Sequence, residues 1–385
     1  MDKIAYFDNA ATTFPKPEIV YKFMDEFYRS CGVNVGRGQY KLASKAHFLT
    51  EETRSLLLEL FHCENKKVIF SGSATESINL VLQGLITEKI KNVYITSFEH
   101  NSITRTLHYL KNKYNFNIYE LEINKETLEY KFEEIDKQFE KNIPDILVMS
   151  HGSNVCGLIS PLEKIFLESK KYNCINIADI CQTAGLIDID LSSDIYDVAV
   201  FAGHKTLYGP FGVSGMIFKD SLNIKPLLYG GTGIDSANQG LPKDIPSRYE
   251  VGSHNIMGIS GLNASLKWIK EIGINNISLK EKNNFIRLFK LLKEYSNIRI
   301  IGFKDFDSHV GVISCEFDNY TSDEIGKVLD KFNVGVRTGL HCSPLAHKFL
   351  GTFPSGTVRF SVSYFTSDED FKQLREALSY IQDNS

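Results

Sequence analysis

The sequence predicts an α/β fold in which a large domain with a mainly parallel sheet, flanked by helices, is followed by a smaller α+β domain. Short apolar runs, such as Ile146–Met149 and Val198–Phe201, alternate with amphipathic segments through the first two thirds of the chain. Such runs are typical of strands that helices cover on both faces. In the last third the pattern becomes a mixture of strands and helices. We place the large domain at residues 15–258, and the smaller one at residues 259–385 together with residues 1–14.

The elements of the large domain follow from where these apolar runs begin and end. Strands are predicted at Lys67–Ser71, Val93–Ser97, Ile146–Ser150, Ile175–Asp179, Asp197–Ala202 and Gly212–Phe218. Helices are predicted between them at Thr75–Leu85, Ser102–Tyr114, Pro161–Lys171 and Ile180–Gly185. In a sheet of this kind, ligands bind at the carboxyl ends of the strands. The residues directly after the strands are therefore the candidates for a functional site.

The smaller domain begins with a predicted helix at Ile259–Ile272, after which the sequence becomes polar and rich in lysine and asparagine. Further strands and helices are predicted at Ile298–Gly302, Val310–Phe317, Ser322–Lys331, Gly335–Arg337, Thr357–Ser363 and Asp368–Ile381. Of these segments, the third and the last are helical and the others are extended, which is typical of an α+β domain.

Composition and charge narrow the class of protein. The 385 residues include 43% hydrophobic and 23% charged side chains, which is ordinary for a globular protein. The formal net charge is −4 and no basic block is present, so nucleic acid is not expected as a partner. The first residues lack the pattern of a secretion signal, and no apolar run approaches the roughly 18 residues that cross a bilayer. We expect a cytoplasmic protein without a membrane segment.

The seven cysteines are spread along the chain and include no Cys-x-x-Cys pair. Neither a zinc ribbon nor a thioredoxin-type motif is indicated, and no metal site is predicted. We expect free thiols, most of them buried and at most one or two of them reactive.

The most informative feature is Lys205, which follows the strand Asp197–Ala202 and lies next to His204. It could be a surface lysine on a turn. It could also be an amine held for chemistry, since lysine forms Schiff bases with carbonyl compounds such as pyridoxal 5′-phosphate (PLP). Asp179, which is followed by Gln182, ends the preceding strand. Its carboxylate is either a helix N-cap or the partner of a cation such as a protonated pyridine nitrogen.

The other three strand ends also carry polar residues. Ala74 and Thr75 open a predicted helix, whose free amide groups are either capped or available to a phosphate. His100 could stack on a flat ring, or could be a capping or solvated residue. Asn154 lies in a polar turn that could present its amide to a ligand. We favour the interpretation that all five strand ends face one cleft.

Together these motifs resemble the cysteine desulfurase branch of the class V aminotransferases, which are PLP-dependent transferases of fold type I. The resemblance extends over nearly the whole chain. It rests on the segments Tyr6–Thr13, Ser73–Asn79, Ser153–Gly157, Asp179–Gln182, Gly203–Lys205, Arg337–Cys342 and Val358–Ser361. The compact loop Leu340–Leu345 is similar to that of the short-loop desulfurases, a group that includes selenocysteine lyase-like enzymes.

The resemblance implies roles for the residues that match. Lys205 would hold PLP covalently and later move protons, and Asp179 would pair with the pyridine nitrogen. Gln182 would bind the ring hydroxyl, and His100 would stack on the ring and act as an acid or base. The residues implied in phosphate binding are Ala74, Thr75, His204 and, from a second subunit, Thr232. The residues implied in orienting an amino-acid substrate are Asn154 and Arg359, the latter through a bidentate contact with the carboxylate.

Cys342 is the residue that distinguishes the desulfurases. In the family, a cysteine of this loop attacks the sulfur of the substrate and retains it as a persulfide. Arg337 and His341 could stabilise its thiolate. The alternative is a buried structural cysteine in the turn before Pro344.

Three departures from the family pattern bear on the substrate and the phosphate. Ala202 stands where a serine or threonine is usual, so one phosphate contact is missing or comes from Thr206 or Thr232. The order Gly72-Ser73 reverses the common one, and Leu340 replaces a histidine often found in this loop.

The leading hypothesis is a PLP-dependent cysteine desulfurase that converts L-cysteine to L-alanine and forms a persulfide on Cys342. One alternative is a selenocysteine lyase, and another is a different class V reaction such as transamination or epimerisation. A third is a non-catalytic scaffold or sulfur-relay protein that retained the fold. The resemblance also implies a homodimer, with a possible sulfur- or selenium-acceptor protein as a partner.

Overall fold

The computed structural model describes residues 4–35, 38, 40–234 and 237–384. Its helices are α1 Glu18–Cys31, α2 Lys41–Leu60, α3 Ala74–Leu85, α4 Asn101–Lys113, α5 Phe132–Lys141, α6 Leu162–Lys170, α7 Ile256–Ile272, α8 Ile274–Lys293, α9 Ser322–Lys331, α10 Pro344–Leu350 and α11 Asp368–Asp383. Its strands are β1 Ala5–Tyr6, β2 Lys67–Ser71, β3 Asn92–Ile95, β4 Asn117–Glu120, β5 Ile146–Ser150, β6 Ile175–Asp179, β7 Val198–Ala202, β8 Ser214–Phe218, β9 Ile298–Ile301, β10 Val312–Phe317, β11 Val334–Gly335, β12 Arg337–Gly339 and β13 Thr357–Ser361.

Within these residues, seven strands form the main sheet in the order β2-β8-β7-β6-β5-β3-β4. The pairs β7–β6, β6–β5, β5–β3 and β3–β4 are parallel, whereas β8 runs antiparallel to both β2 and β7. Strand β2 therefore has the same direction as the parallel strands. The carboxyl ends of β2, β3, β5, β6 and β7 consequently lie at one edge of the sheet, as predicted.

Strand β5 illustrates how both faces of the sheet are covered. All five residues of β5 are buried. Successive side chains of a strand point to opposite faces. Accordingly, Ile146 and Val148 pack in one apolar cluster with residues of α3 and α4, while Leu147 and Met149 pack in another with residues of α5 and α6. An apolar run without polar alternation is what such a strand requires.

The last third of the chain contributes a second, antiparallel sheet, which has the order β12-β13-β10-β9 within the described residues. Its core joins apolar residues of α8, α9 and α11, and it includes Ala5 and Phe7 from the start of the chain. β1 pairs in parallel with β11. The α/β fold class is confirmed, whereas the division of the chain after residue 258 stays a prediction.

Most predicted elements agree with the structure, but the predicted strand Gly335–Arg337 is divided between β11 and β12, which belong to different sheets. The predicted helix Ile180–Gly185 is wrong: one turn forms there, with the amide of Ala184 bound to the carbonyl of Ile180, and it ends at Gly185 with φ of +77°. The polar sequence after Ile272 was not predicted as helical, yet it forms α8, which is 20 residues long. Its buried side chains recur along one face, whereas its exposed lysines and asparagines obscure that pattern in the sequence.

Several further elements were not predicted: α1, α2, α5, α10, β1, β4 and β12. Among the described residues, no helix combines the length and apolarity needed to span a membrane.

Candidate active site

The carboxyl edge of the main sheet contains a cavity of about 220 Å³. It lies where β7, β6, β5 and β3 end beside the second sheet. Nine of the predicted site residues line it: Ala74, Thr75, His100, Asn154, Asp179, Gln182, His204, Lys205 and Arg359. The structure therefore brings together residues that lie up to 285 positions apart, from Ala74 to Arg359 (359 − 74).

Asp179 ends β6 and is buried, with 8% of its surface exposed. It lies opposite Ser150 in the parallel register with β5. Its Oδ1 atom accepts a hydrogen bond from the backbone N–H of Cys181 at 2.9 Å. One backbone donor does not offset the cost of burying a carboxylate, so this residue can accept a cationic group from the cavity.

Lys205 lies on the turn between β7 and β8, and its neighbour His204 stacks on Phe211 with the ring centres 4.6 Å apart. Burial, reinforced by the charges of Lys205 and Lys16, lowers the pKa of His204 to about 3. The imidazole is therefore neutral at pH 7. Its Nδ1 atom is buried and has no hydrogen-bond partner in the part of the chain that the structure describes.

His100 is the N-cap of α4, where its Nδ1 atom accepts a hydrogen bond from the backbone N–H of Ser102 at 3.1 Å. Burial and the nearby charge of Lys205 lower the pKa of His100 to about 4. The ring is thus neutral at pH 7 and carries its proton on Nε2. His100 is both a capping residue and a cavity residue, so the two interpretations drawn from the sequence are compatible.

Glu99 holds this strand end in place and was not identified from the sequence. It is fully buried, and its carboxylate accepts hydrogen bonds from the side chains of Thr96 and Ser150, both at 2.7 Å. It thereby joins the end of β3 to the end of β5, next to His100. Burial raises the pKa of Glu99 to about 7. A glutamate before a histidine carries no signal of this role, because the contact is with a distant strand.

Arg359 is the largest side chain that is almost fully buried, with 1% exposed. One terminal nitrogen donates to Oδ1 of Asp8 at 2.6 Å, and the other donates to the backbone carbonyl of Asn154 at 2.9 Å. Its Nε atom is buried and lacks a partner among the described residues. The guanidinium is therefore fixed in orientation and retains an unused donor.

Cys342 lies in a loop that other residues hold from several sides. Its Sγ atom is 3.2 Å from a terminal nitrogen of Arg337, which also lines the cavity. The side-chain amide of Asn154 donates to the carbonyl of His341 at 2.7 Å and accepts from the hydroxyl of Ser343 at 2.8 Å. His341 and Cys342 both have positive φ, 47° and 59°. Cys342 is half-buried, whereas the six other cysteines are buried.

His341 does not stabilise a Cys342 thiolate by a positive charge, as the sequence had suggested it could. Burial, followed by the charge of Arg359, lowers the pKa of His341 to about 2, so its ring carries no charge at pH 7. Its Nε2 atom is bound to the hydroxyl of Thr357 at 2.8 Å. Only Arg337, of the two predicted residues, places a positive charge against the sulfur.

Neither of the two hydroxyl groups suggested to replace the phosphate contact missing at Ala202 lines this cavity. Ala202 itself lines it, whereas Thr206 does not, and the hydroxyl of Thr206 is buried without a partner within the described ranges. Thr232 borders a separate cavity of about 750 Å³ together with Arg54 and Glu250. Its predicted contact is with the phosphate bound by a second subunit, and this stays a prediction.

The α/β fold, with a mostly parallel central sheet flanked by helices, is that of the PLP-dependent cysteine desulfurases among its structure neighbours. A family model described as aminotransferase class-V matches residues 5–374. This chain belongs to the class-V aminotransferase family and, within it, to the cysteine desulfurase branch.

Two curated relatives and one solved structure illustrate the similarity. A probable cysteine desulfurase from Pyrococcus abyssi is 30% identical over 98% of this chain and 94% of the relative. A probable cysteine desulfurase from Haemophilus influenzae is also 30% identical, over 99% of this chain and 87% of the relative. The apo structure of a cysteine desulfurase from Thermococcus onnurineus NA1 superposes with a TM-score of 0.91 at 27% identity, covering 99% and 95% of the two chains.

Proposed function

We propose that this chain is a PLP-dependent cysteine desulfurase, which converts L-cysteine to L-alanine and retains the sulfur as a persulfide on Cys342. The observation that carries the proposal is the contact between the Cys342 sulfur and the Arg337 guanidinium, at 3.2 Å. Arg337 lines the same cavity as Lys205 and Asp179. The Cys342 sulfur therefore contacts a cation that borders the same cavity as a lysine amine and a buried carboxylate.

The residues of the cavity fit PLP as the ligand. Lys205 offers an amine for a covalent bond to the aldehyde, and Asp179 offers a carboxylate for the pyridine nitrogen. The unpartnered Nδ1 atom of His204 offers a buried donor for an anionic group such as the phosphate. Ala74 and Thr75 add the N-terminus of α3, where free amide groups favour anions.

His100 and Gln182 complete this arrangement. The neutral ring of His100 would lie on the cofactor ring, and its Nε2–H can donate to an acceptor there. The amide nitrogen of Gln182 donates to the carbonyl of Ala10 at 2.9 Å, which fixes the side chain and leaves its second N–H for the ring hydroxyl. When bound, PLP supplies the electron sink that weakens bonds to the α-carbon of an amino acid. The amine of Lys205, once released, would move protons between substrate atoms.

Arg359 would bind the α-carboxylate of the substrate. Its guanidinium is already oriented by Asp8 and by the carbonyl of Asn154, and its Nε–H is unused. A carboxylate that accepts from the guanidinium would satisfy this buried donor. Asn154 uses one N–H and its oxygen to hold the Cys342 loop, so only its second N–H is available to the substrate.

Cys342 would take up the sulfur. Its thiolate attacks the sulfur of the bound cysteine, and a sulfur–sulfur bond forms as the bond between Cβ and sulfur breaks. The electron pair of the broken bond stays with Cβ, which takes up a proton and becomes the methyl group of alanine. The enzyme thiol and L-cysteine thus yield L-alanine and an enzyme persulfide, with no external oxidant or reductant.

We also propose that the chain works as a homodimer in the cytoplasm, with Thr232 contacting the phosphate bound by the second subunit, and that an acceptor protein removes the sulfur. Leu228 and Tyr229 are 53% and 69% exposed close to Thr232. We propose that these two side chains belong to the surface that the second subunit covers, since contiguous exposed apolar patches mark interaction surfaces. Sedimentation would test the dimer, and a weaker affinity of Thr232→Ala for PLP would support the contact.

The function is tested with purified wild-type, Lys205→Ala and Cys342→Ala proteins. We expect the wild type to absorb in the range of bound PLP, and borohydride followed by peptide mapping to leave a pyridoxyl group on Lys205. L-cysteine should yield alanine with the wild type and not with Cys342→Ala, although that variant should still bind PLP. A label on another lysine, or none, would refute the cofactor assignment.

The same assay distinguishes the other reactions. Loss of L-cysteine turnover in Cys342→Ala, with turnover of L-selenocysteine kept, would favour a selenocysteine lyase. Pyridoxamine phosphate with an oxoacid product would indicate transamination. A colourless protein that gains no absorbance with added PLP would indicate a non-catalytic protein.

A further inference from the structure

Lys16 is a buried lysine whose hydrogen-bond acceptors are uncharged. It is 9% exposed. Its Nζ atom donates to the backbone carbonyl of His204 at 2.6 Å and to the hydroxyl of Thr12 at 3.4 Å. Burial lowers the pKa of Lys16 to about 7, since no charged acceptor offsets the loss of water. The bond to the carbonyl of His204 is therefore its main compensation.

That carbonyl accepts from three donors of one short segment. Besides Nζ of Lys16, the hydroxyl of Thr12 donates to it at 2.9 Å and the backbone N–H of Thr13 at 3.1 Å. The next carbonyl, of Lys205, accepts from the hydroxyl of Thr13 at 2.9 Å. Residues 12–16, which we call the N-terminal clamp, therefore bind both peptides that flank Lys205.

The turn that carries Lys205 holds the two sides of this residue differently. Its backbone N–H reaches the carbonyl of Ala202 only at 3.5 Å, which is at the limit of a hydrogen bond, whereas its carbonyl accepts from the N–H of Tyr208 within the turn at 2.8 Å. Among the described residues, the donors to the carbonyl of His204 all come from the N-terminal clamp. The peptide between His204 and Lys205 thus depends on donors from outside the turn.

We propose that Lys16 is a positioning residue, which fixes the peptide between His204 and Lys205 so that the Lys205 amine meets PLP in one orientation. This inference rests on the proposed function, because PLP is its ligand. The amine of Lys16 can donate to this carbonyl both when charged and when neutral, so the bond persists on either side of its pKa of about 7. Without it the turn would sample more conformations, and the entropy lost on ordering it would oppose PLP binding.

The test compares PLP binding by the PLP-free full-length wild type and its Lys16→Met variant. Methionine retains the length and apolar stem of the side chain and removes the donor. We expect the affinity for PLP to fall about tenfold, which corresponds to the loss of one buried hydrogen bond. Lys22→Met is the matched control, since Lys22 is exposed on α1 and lies 4.0 Å from Glu26; its affinity should equal that of the wild type.

Hydrogen exchange gives a readout that needs no PLP. In PLP-free Lys16→Met, peptides covering residues 201–210 should exchange about fivefold faster or more, while those covering β5 keep the wild-type rate. Thr13→Val removes the donor to the Lys205 carbonyl, and we expect the same change in affinity and exchange. This second variant decides the question if Lys16→Met does not fold.

Any one of three results for Lys16→Met would overturn the inference. These are an unchanged affinity for PLP, an unchanged rate of hydrogen exchange at residues 201–210, and a rise in hydrogen exchange that is spread evenly over the chain. If the wild type itself takes up no PLP, the proposed function is refuted. The exchange measurement then still decides whether Lys16 fixes the turn.

Discussion

Asp8 and Arg359 are separated by 351 positions and are joined by a hydrogen bond of 2.6 Å. Asp8 follows the first strand, whereas Arg359 lies in β13 of the second sheet. Because Arg359 is almost fully buried, the carboxylate of Asp8 both neutralises and orients it. The start of the chain therefore sets the geometry of the residue that we propose for binding the substrate carboxylate.

Replacement of Asp8 should weaken substrate binding. In Asp8→Asn the side chain keeps its shape but loses the charge-assisted bond, so Arg359 is less well fixed. We expect KM for L-cysteine to rise about tenfold, with a smaller change in kcat and no loss of bound PLP. Steady-state kinetics of alanine formation would measure this, with Asp25→Asn as the control, since Asp25 forms an exposed pair with Arg29. An unchanged KM would show that Asp8 does not orient Arg359.

The contact of Arg337 with Cys342 should determine the reactivity of the thiol. Arg337→Met removes the cation at 3.2 Å from the sulfur, and the thiolate loses its stabilisation. We expect alkylation of Cys342 by iodoacetamide at neutral pH to slow by a factor of about three or more. Mass spectrometry of the modified peptide would measure the rate, and Arg375→Met, at an exposed pair with Glu294, is the control. Equal rates in wild type and Arg337→Met would exclude this role.

The part of the site that lies at the carboxyl ends of the strands could be predicted, because it depends on local patterns in the sequence. Apolar runs fix where strands end, and parallel strands end at one edge, so Asp179 and Lys205 had to lie close together. The main misassignments have physical causes. The turn after Asp179 stops at a glycine with positive φ. The buried residues of α8 are separated by exposed polar residues in the sequence and come together only on one face of the helix.

The contacts that support the site could not be predicted in this way. The pairing of Asp8 with Arg359, of Glu99 with Ser150 and of Lys16 with His204 joins segments that no local pattern relates. Burial also reverses expectations based on residue type. His341 was expected to carry a charge near Cys342, and the low pKa that burial imposes removes it.

Acid should destabilise this protein, because several buried histidines stay unprotonated in the folded state at pH values where they are protonated in the unfolded state. Burial is the main cause that lowers the pKa of His100, His151 and His347 to about 4, of His204 to about 3 and of His341 to about 2. Their unfolded values lie near 6.5, so the unfolded state binds more protons between about pH 6.5 and 4. Their stabilising effect is present above that range and is lost as the pH falls through it.

Glu99 and Glu281 act in the opposite direction. Burial raises the pKa of each to about 7, so their contribution to the free energy of unfolding is present at about pH 4.5 and is lost as the pH rises from there. The five histidines outnumber the two acids, so the free energy of unfolding should fall between pH 6.5 and 4.5. Urea unfolding at several pH values would measure it. His151→Asn should reduce the slope by up to about 1.4 kcal/mol per pH unit, and the exposed His108→Asn should not. A flat profile would contradict the prediction.

A buried pair between the Lys205 turn and α8 should contribute to stability. The hydroxyl of Tyr208 donates to the carboxylate of Glu281 and accepts from the backbone N–H of Tyr364 at 3.1 Å. Tyr208→Phe removes the hydroxyl that binds both the buried carboxylate of Glu281 and the backbone N–H of Tyr364, so we expect a loss of about 1–3 kcal/mol in the free energy of unfolding. Urea unfolding at pH 7 would measure the loss. Tyr380→Phe, at an exposed position, is the control, and an equal stability of both variants would refute the contribution.

Residues 5–16 affect how the molecule unfolds on heating. Ala5 and Phe7 pack in the core of the second sheet, whereas Thr12, Thr13 and Lys16 are bonded to the turn beyond β7 of the main sheet. A segment anchored in both places ties the loss of one sheet to the loss of the other. Calorimetry of the protein should therefore record one cooperative heat-absorption peak rather than two separable transitions.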